Sequence, residues 1–309
     1  MERDFIFVEA PFASAHASTI AETGDALIAA WFGGVYEGHT EVGIWISRRD
    51  AEVWSKPIEV AKGRDARGNP LPCWNPVLFQ PRVGPLLLFY KVGPSPRRWW
   101  GMVMRSSDQG QSWSAPERLP RGILGPIKNK PIELPDGTWL SPSSTEWMGW
   151  RCHLERSADQ GATWDKRSLT ASRTGGSIQP AILRYPDGSL QIVCRSKQRS
   201  VTTCRSRDGA HWDGMQALDL PQPNSGLDAV MLADGRALLV YNHSRDDRTP
   251  LNLALSQDGR QWQPSRVLED GPGEFSYPAI IQGRHGRIHI TYTWDRERIR
   301  YVNLAPSDL

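Results

Sequence analysis

The chain runs to 309 residues, a length that all-β domains often use as one unit, and its net charge of +3 argues against nucleic acid or an anionic membrane surface as partner. Four cysteines without a CxxC pair are too few for a disulfide scaffold and offer no zinc site, so neither metal nor cofactor is expected. No run reaches the ~18–20 apolar residues of a spanning helix, and 28 glycines with 24 prolines favour short strands and turns.

An apolar run, Phe5-Ile6-Phe7-Val8, comes first and stands alone. After it, pairs of strand-like runs recur: residues 17–22 with 26–32, 75–80 with 86–92, 130–134 with 138–143, 179–185 with 189–195, 226–232 with 237–242 and 277–282 with 287–293. The turns between them carry Gly24-Asp25, Asp136-Gly137, Asp187-Gly188, Asp234-Gly235 and His285-Gly286. Asp-Gly between two strand-like runs is a strong hairpin signal. A third strand follows each pair, at 42–47, 102–106, 152–157, 201–206, 252–256 and 299–304, and a fourth is visible at 56–60 and 266–268.

A short phrase ending in tryptophan follows the third strand. Ser106-Ser107-Asp108-Gln109-Gly110-Gln111-Ser112-Trp113 returns from Ser157 to Trp164, one residue shorter from Ser206 to Trp212 and from Ser256 to Trp262, and worn from Ser47 to Trp54. The tryptophans at 54, 113, 164, 212 and 262 recur at 48 to 59 residues, the period of a repeat architecture. The sixth set stops after its third strand, and residues 5–8 can supply the missing fourth. The expectation is an all-β, six-bladed propeller of four-stranded antiparallel blades, residues 1–309 as one domain, with the N-terminal strand closing the last blade. In each phrase the Asp accepts backbone N–H bonds in a tight turn, the Gly takes positive φ and the Trp packs on neighbouring sheet. Cys194 and Cys204 are close enough in sequence to face each other across a hairpin, although buried free thiols are the favoured reading.

Up-and-down blades place the Asp-Gly hairpins and the tryptophan phrases on one face of the disc. The other face receives the starts of the first strands and the ends of the second. There lie His16, Trp74-Asn75, Asn129-Lys130, Gln179, Asn224-Ser225 and Tyr277, and after the second strands Glu37, His39, Tyr90-Lys91, Glu146, Arg195, Lys197, Tyr241, His243, Arg245 and Arg248. Innermost strands line the channel, so these side chains are expected to converge near the axis. Pro76, Pro131, Pro180 and Pro278 each follow a polar residue at a strand start and are expected to hold it extended. Loop tryptophans Trp99, Trp100, Trp147, Trp150 and Trp294 beside Arg, Lys and Asn suit a sugar, though each alone reads as packing. The runs 64–67 and 296–298 read as solvated surface.

The repeat wording and period resemble the sialidase superfamily with its Asp-box, or BNR, repeats. That resemblance implies three arginines around a substrate carboxylate, a Tyr nucleophile paired with Glu, and an Asp acid/base. Arg195 and Arg248 look like two of the arginines, and Tyr277 stands near the nucleophile's place. His16 stands where the first arginine would, Gln179 where the Glu would, and Glu37 and Glu41 lie in the loop of the acid/base. Ala15-His16-Ala17-Ser18-Thr19-Ile20, Trp31-Phe32-Gly33-Gly34, Lys128-Asn129-Lys130-Pro131 and Tyr241-Asn242-His243-Ser244 resemble a sialidase-like subgroup that includes lyases splitting rhamnosyl-glucuronate linkages.

The expected activity is therefore cleavage of a glycosidic bond at an acidic sugar. Elimination at a uronate is preferred, with Arg195 and Arg248 on the carboxylate, His16 or His39 as base, and Tyr277 or the same His protonating the leaving oxygen. Trp74, Asn75, Lys130, Glu146, Gln179, Tyr241 and His243 are the further substrate-binding candidates. Hydrolysis by Tyr277, or glycan binding without catalysis, are the competing readings. The partner is an acidic glycan. Met1-Glu2-Arg3-Asp4 has no apolar signal core, so the chain as it stands reads as cytoplasmic, or as exported if a leader has been removed.

Overall fold

A computed structural model describes residues 1–147, 149–169 and 176–309. Six antiparallel sheets are arranged as blades. Blade one is built from Ser14–Thr23, Ala26–Gly34, Gly43–Asp50 and Ile58–Arg64, and blade two from Cys73–Phe79, Leu86–Val92, Trp100–Ser106 and Glu117–Arg118. Blade three has Ile132–Glu133, Trp139–Thr145, Arg151–Ser157 and Asp165–Ser168, and blade four Ser177–Arg184, Leu190–Ser196, Ser200–Ser206 and Gln216–Pro221. Blade five comprises Asp228–Met231, Ala237–Asn242, Leu251–Ser256 and Gln263–Glu269; blade six comprises Phe275–Gln282, Ile288–Trp294, Arg298–Leu304 and the N-terminal Glu2–Phe5.

Second strands are buried on both faces, which is why they read as near-continuous apolar runs rather than alternating ones. The apolar clusters lie between blades. Phe32 and Ile44 of blade one pack with Leu88 and Tyr90 of blade two, and Phe89 of blade two with Trp139 of blade three. Leu154 and Ile192 share one cluster, Val193 and Leu239 a second, and Val240 and Ile290 a third, carrying the core through blades four, five and six. Trp31 with Ile299 and Tyr301 closes the ring. Each blade thus packs on its neighbour around a closed ring.

The N-terminal closure occurs in a different register from the expected one. Glu2–Phe5 pairs with the last strand, from Glu2 opposite Asn303 to Phe5 opposite Arg300. The Ile6 N–H still donates to the Ile299 carbonyl at 2.9 Å, the side chains of Ile6 and Phe7 enter the core between blades six and one, and Val8 is 76% exposed. The apolar run marks burial, and the pairing residues are polar ones whose partners are remote. Glu2 accepts from Arg49 at 2.8 Å and from Asn303 at 2.9 Å.

The tryptophan phrases form the expected turns. Asp159 Oδ1 accepts the Thr163 N–H at 2.8 Å and the Ser157 hydroxyl at 2.9 Å, and the Gly161 N–H donates to Ser157 Oγ at 2.8 Å. Hydrogen bonds from Ser112 and Ser106 hold Asp108 well below the usual carboxylate range. The longer copies fit their extra residue by placing two successive residues at positive φ, Gln109-Gly110 and Gln160-Gly161, whereas the shorter copies use Gly209 and Gly259 alone. The four cysteines are free. Cys194 lies opposite Thr202 and Cys204 opposite Ile192, so the two do not face each other, and the thiol beside Cys194 is that of Cys152 at 3.6 Å.

Candidate active site

Four inner strands begin with the same backbone irregularity. The register slips between His16 and Thr19, Trp74 and Val77, Ile178 and Ala181, and Ser276 and Ala279. Inside each slip one residue is left-handed: Ala17 (φ 56°), Asn75 (39°), Gln179 (56°) and Tyr277 (53°). The expectation of extended backbone before Pro76, Pro180 and Pro278 is thereby overturned, because the bulge outweighs the local preference of a residue before proline. Left-handed backbone costs a non-glycine residue about 1–2 kcal/mol, and hydrogen bonds from adjacent blades hold it. The Ala17 N–H donates to Thr293 Oγ1 at 3.2 Å and the Gln179 N–H to Ser144 Oγ at 3.1 Å. The bulge re-aims side chains towards the axis, where blades that share no edge can touch.

Tyr277 of blade six and Gln179 of blade four do touch. The Gln179 amide donates to Tyr277 Oη at 3.3 Å, and Arg195 Nη1 donates to the same oxygen at 2.6 Å. Arg195 is aimed by Asn224, whose Oδ1 accepts from Nε at 3.0 Å, and it lies over the Trp150 ring at 5.2 Å. His16 rests against the other side of the site, its ring centroid 4.3 Å from that of Tyr277 and its Nδ1 3.0 Å from Thr293 Oγ1. Arg248 approaches the Tyr277 ring at 5.7 Å. His16, Arg195, Gln179 and Arg248 therefore gather around Tyr277.

A third guanidinium joins them from a segment expected to be solvated surface. Arg296 Nε donates to both oxygens of Glu274, at 3.0 and 3.1 Å, and Arg248 Nη1 donates to Glu274 Oε1 at 2.6 Å. Glu274 thus holds Arg248 and Arg296 side by side, and Glu37 pairs with the far end of Arg296. Burial opposes ionisation of Glu274, but Arg248, Ser276 and Arg296 outweigh it and hold its carboxyl low. The alternating charges of Arg296-Glu297-Arg298 look like solvent-facing polarity; the left-handed Asp295-Arg296 turn that swings Arg296 inward leaves no sequence signal. His16 feels the result. Burial first, then the cations Arg296, Arg248, Arg195 and Lys128, push its pKa well below 6.5, so the imidazole is neutral at neutral pH.

The remaining candidates are distributed more widely. Asn75 is buried at its bulge, and Trp74 packs against Trp99 and Phe32 with its indole N–H on the Gly93 carbonyl at 2.8 Å. Glu146 lies near Arg195 and Arg97, and burial raises its pKa against their pull. His39 instead borders a peripheral groove with Glu41, Lys62 and Arg64. Lys130 is paired with Asp228 at 2.9 Å and lines a separate groove with Glu22, Gln80 and Arg82. Tyr241 is a core residue between blades four and five, its hydroxyl bonded to His243. Among the loop tryptophans, Trp150 borders the pocket, Trp294 packs on Phe5 and Phe275, and Trp147 is 64% exposed.

Six four-stranded antiparallel blades, the last closed by the N-terminal strand, make this fold a six-bladed β-propeller. The chain belongs to the BNR repeat-like domain family, which matches residues 25–290. Its structure is similar to a Dyadobacter fermentans protein of unknown function (TM-score 0.81, 17% identity, 98% of this chain and 97% of that one). It is also similar to the NanB sialidase of Streptococcus pneumoniae (TM-score 0.79, 13% identity, 99% and 71%). The intramolecular trans-sialidase of Ruminococcus gnavus matches at TM-score 0.78 and 12% identity, over 98% of this chain and 97% of that one. At such identities the likeness establishes the fold. No curated protein matches the sequence.

Proposed function

We propose that the protein cleaves a glycosidic bond at an acidic sugar by elimination, at a uronate of the kind found in rhamnosyl-glucuronate glycans. Arg195, Arg248 and Arg296 receive the carboxylate, and His16 Nε2 takes the proton on C5. The electron pair forms the C4–C5 double bond as the C4–O bond breaks, and Tyr277 gives its proton to the departing oxygen. The guanidiniums stabilise the negative charge that builds on the carboxylate during proton loss. His16 acts as base in the tautomer whose Nδ1–H donates to Thr293. Cations that keep the free imidazole neutral are offset when the substrate carboxylate arrives, so its basicity rises when it is needed.

One observation carries this reading over hydrolysis by tyrosine. Tyr277 Oη meets an amide, Gln179, and a guanidinium, Arg195, and neither can take its proton. A second feature bears on substrate shape. His16 and Tyr277 lie ring against ring on one wall, so base and acid reach the same face of the sugar. Elimination is then syn and requires C5–H and C4–O to be cis, as in gluco- or manno-configured uronates.

The test is turnover of a rhamnosyl-glucuronate glycan by the intact chain and by His16→Gln and Tyr277→Phe. The expected result is an unsaturated uronate from the wild type, with product lost but glycan binding kept in both variants. Saturated reducing sugar in its place would establish hydrolysis, and binding without product in all three proteins would establish a lectin.

A further inference from the structure

Lys128 is buried with acceptors in other blades, and no step of the chemistry above passes through it. Its ammonium donates to Asn129 Oδ1 at 2.9 Å, to the Leu227 carbonyl at 3.0 Å and to the Pro278 carbonyl. Three acceptors use all three of its N–H groups. The next residue reaches the opposite way, Asn129 Nδ2 donating to the Gln179 carbonyl at 3.0 Å. Two of these carbonyls belong to the left-handed bulges. Gln179 is itself the left-handed residue, and Pro278 follows Tyr277 directly. Gly226 shows how closely the parts are fitted: a Cβ there would lie 3.0 Å from Tyr277 Cγ and 3.1 Å from Lys128 Cε.

We propose that Lys128, with Asn129, is the positioning residue of the site: it sets Tyr277 and Gln179 against each other by tethering the carbonyls of the two bulges that carry them. The proposal rests on Tyr277 being the reacting hydroxyl. A neutral amine has two N–H groups, so deprotonation leaves one of the three acceptors unpaired and loosens the tether. The charged groups around Lys128 are Asp228 of blade five, which favours its charge, and Lys130 of blade three and Arg195 of blade four, which oppose it. Among the described residues, Tyr277 of blade six and the imidazole of His16 in blade one also lie near it. Burial, the largest influence, brings its pKa down to about 7.

The experiment is Lys128→Met in the full chain, read in two ways. In wild type labelled with 13Cζ-tyrosine, the Tyr277 resonance, assigned by its loss in Tyr277→Phe, is expected to move as pH rises through about 7. In Lys128→Met it is expected to be displaced and to lose that step. With a turned-over uronate glycan, kcat is expected to fall on the order of 10²-fold with KM little changed, as for a misplaced reacting group. Should Lys128→Met fail to fold, Asn129→Ala keeps the ammonium and its two carbonyl acceptors while removing the Gln179 tie and the Asn129 acceptor of Lys128, and the same resonance is expected to shift. An unmoved Tyr277 resonance in a folded variant overturns the proposal. Because that reading needs no substrate, its failure is distinct from a failure of the elimination chemistry.

Discussion

The two faces of the propeller use the same backbone device for opposite ends. On the tryptophan-phrase face, left-handed residues at Gly110, Gly161, Gly209 and Gly259 let each Asp turn back on its own chain. Those carboxylates are consumed by local N–H groups, as Asp258 is by Arg260 and Gln261 at 2.8 and 2.9 Å. On the other face Ala17, Asn75, Gln179 and Tyr277 are left-handed; Thr293 and Ser144 of adjacent blades hold Ala17 and Gln179, and Gln179 meets Tyr277 of a non-adjacent blade. Where side chains serve their own turn, the sequence repeats. Where they serve a shared centre, each blade contributes a different residue and the repeat vanishes.

On the pocket face, His16→Gln or Tyr277→Phe is expected to lower kcat about 10²–10⁴-fold, the usual worth of a general base or acid, with the melting temperature little changed. Arg296→Ala, which removes a guanidinium anchored by Glu274, is expected to lower kcat/KM about 10–100-fold in steady-state assays, the worth of a charge-assisted bond. On the phrase face, Trp164→Ala is expected to destabilise the fold by about 2 kcal/mol in denaturant titration, since Trp164 packs between Phe89 and Trp139, while kcat stays unchanged.

A smaller effect follows from His16 and pH. Its folded pKa lies well below the ordinary 6.5, so the unfolded chain takes up the proton first as pH falls. Its contribution to stability is full above about 6.5 and is lost as pH falls towards the folded value. The acid loss of melting temperature is therefore expected to be shallower in His16→Phe. With substrate bound, the carboxylate offsets the arginines, and the acid limb of kcat is expected to lie at higher pH than that of kcat/KM.

Legibility in the sequence followed the same division. The phrases at 113, 164, 212 and 262 counted blades because their hydrogen bonds close within a few residues, which a linear pattern can record. The first-strand polar residues marked the pocket face, and His16, Arg195, Gln179, Arg248 and Tyr277 do converge there. Three features stayed hidden because they depend on contacts between distant residues. Arg296 is held by Glu274 and by Glu37, 259 residues away, Lys128 finds two acceptors 99 and 150 residues away, and the prolines announced rigidity without revealing the bulges before them. At the N-terminus hydrophobicity pointed to residues 5–8 as the closing strand, whereas the ladder runs over Glu2–Phe5 and Ile6 and Phe7 are apolar because they are core.

Proton NMR of the products from a matched pair of substrates, one ending in a glucuronate linked through O4 and one in the corresponding galacturonate, tests the central claim most directly. Base and acid on one wall require an olefinic H4 signal from the gluco compound, none from the galacto compound, and none from either with Tyr277→Phe. An olefinic product from the galacto compound, or one that survives Tyr277→Phe undiminished, would contradict the roles given to His16 and Tyr277.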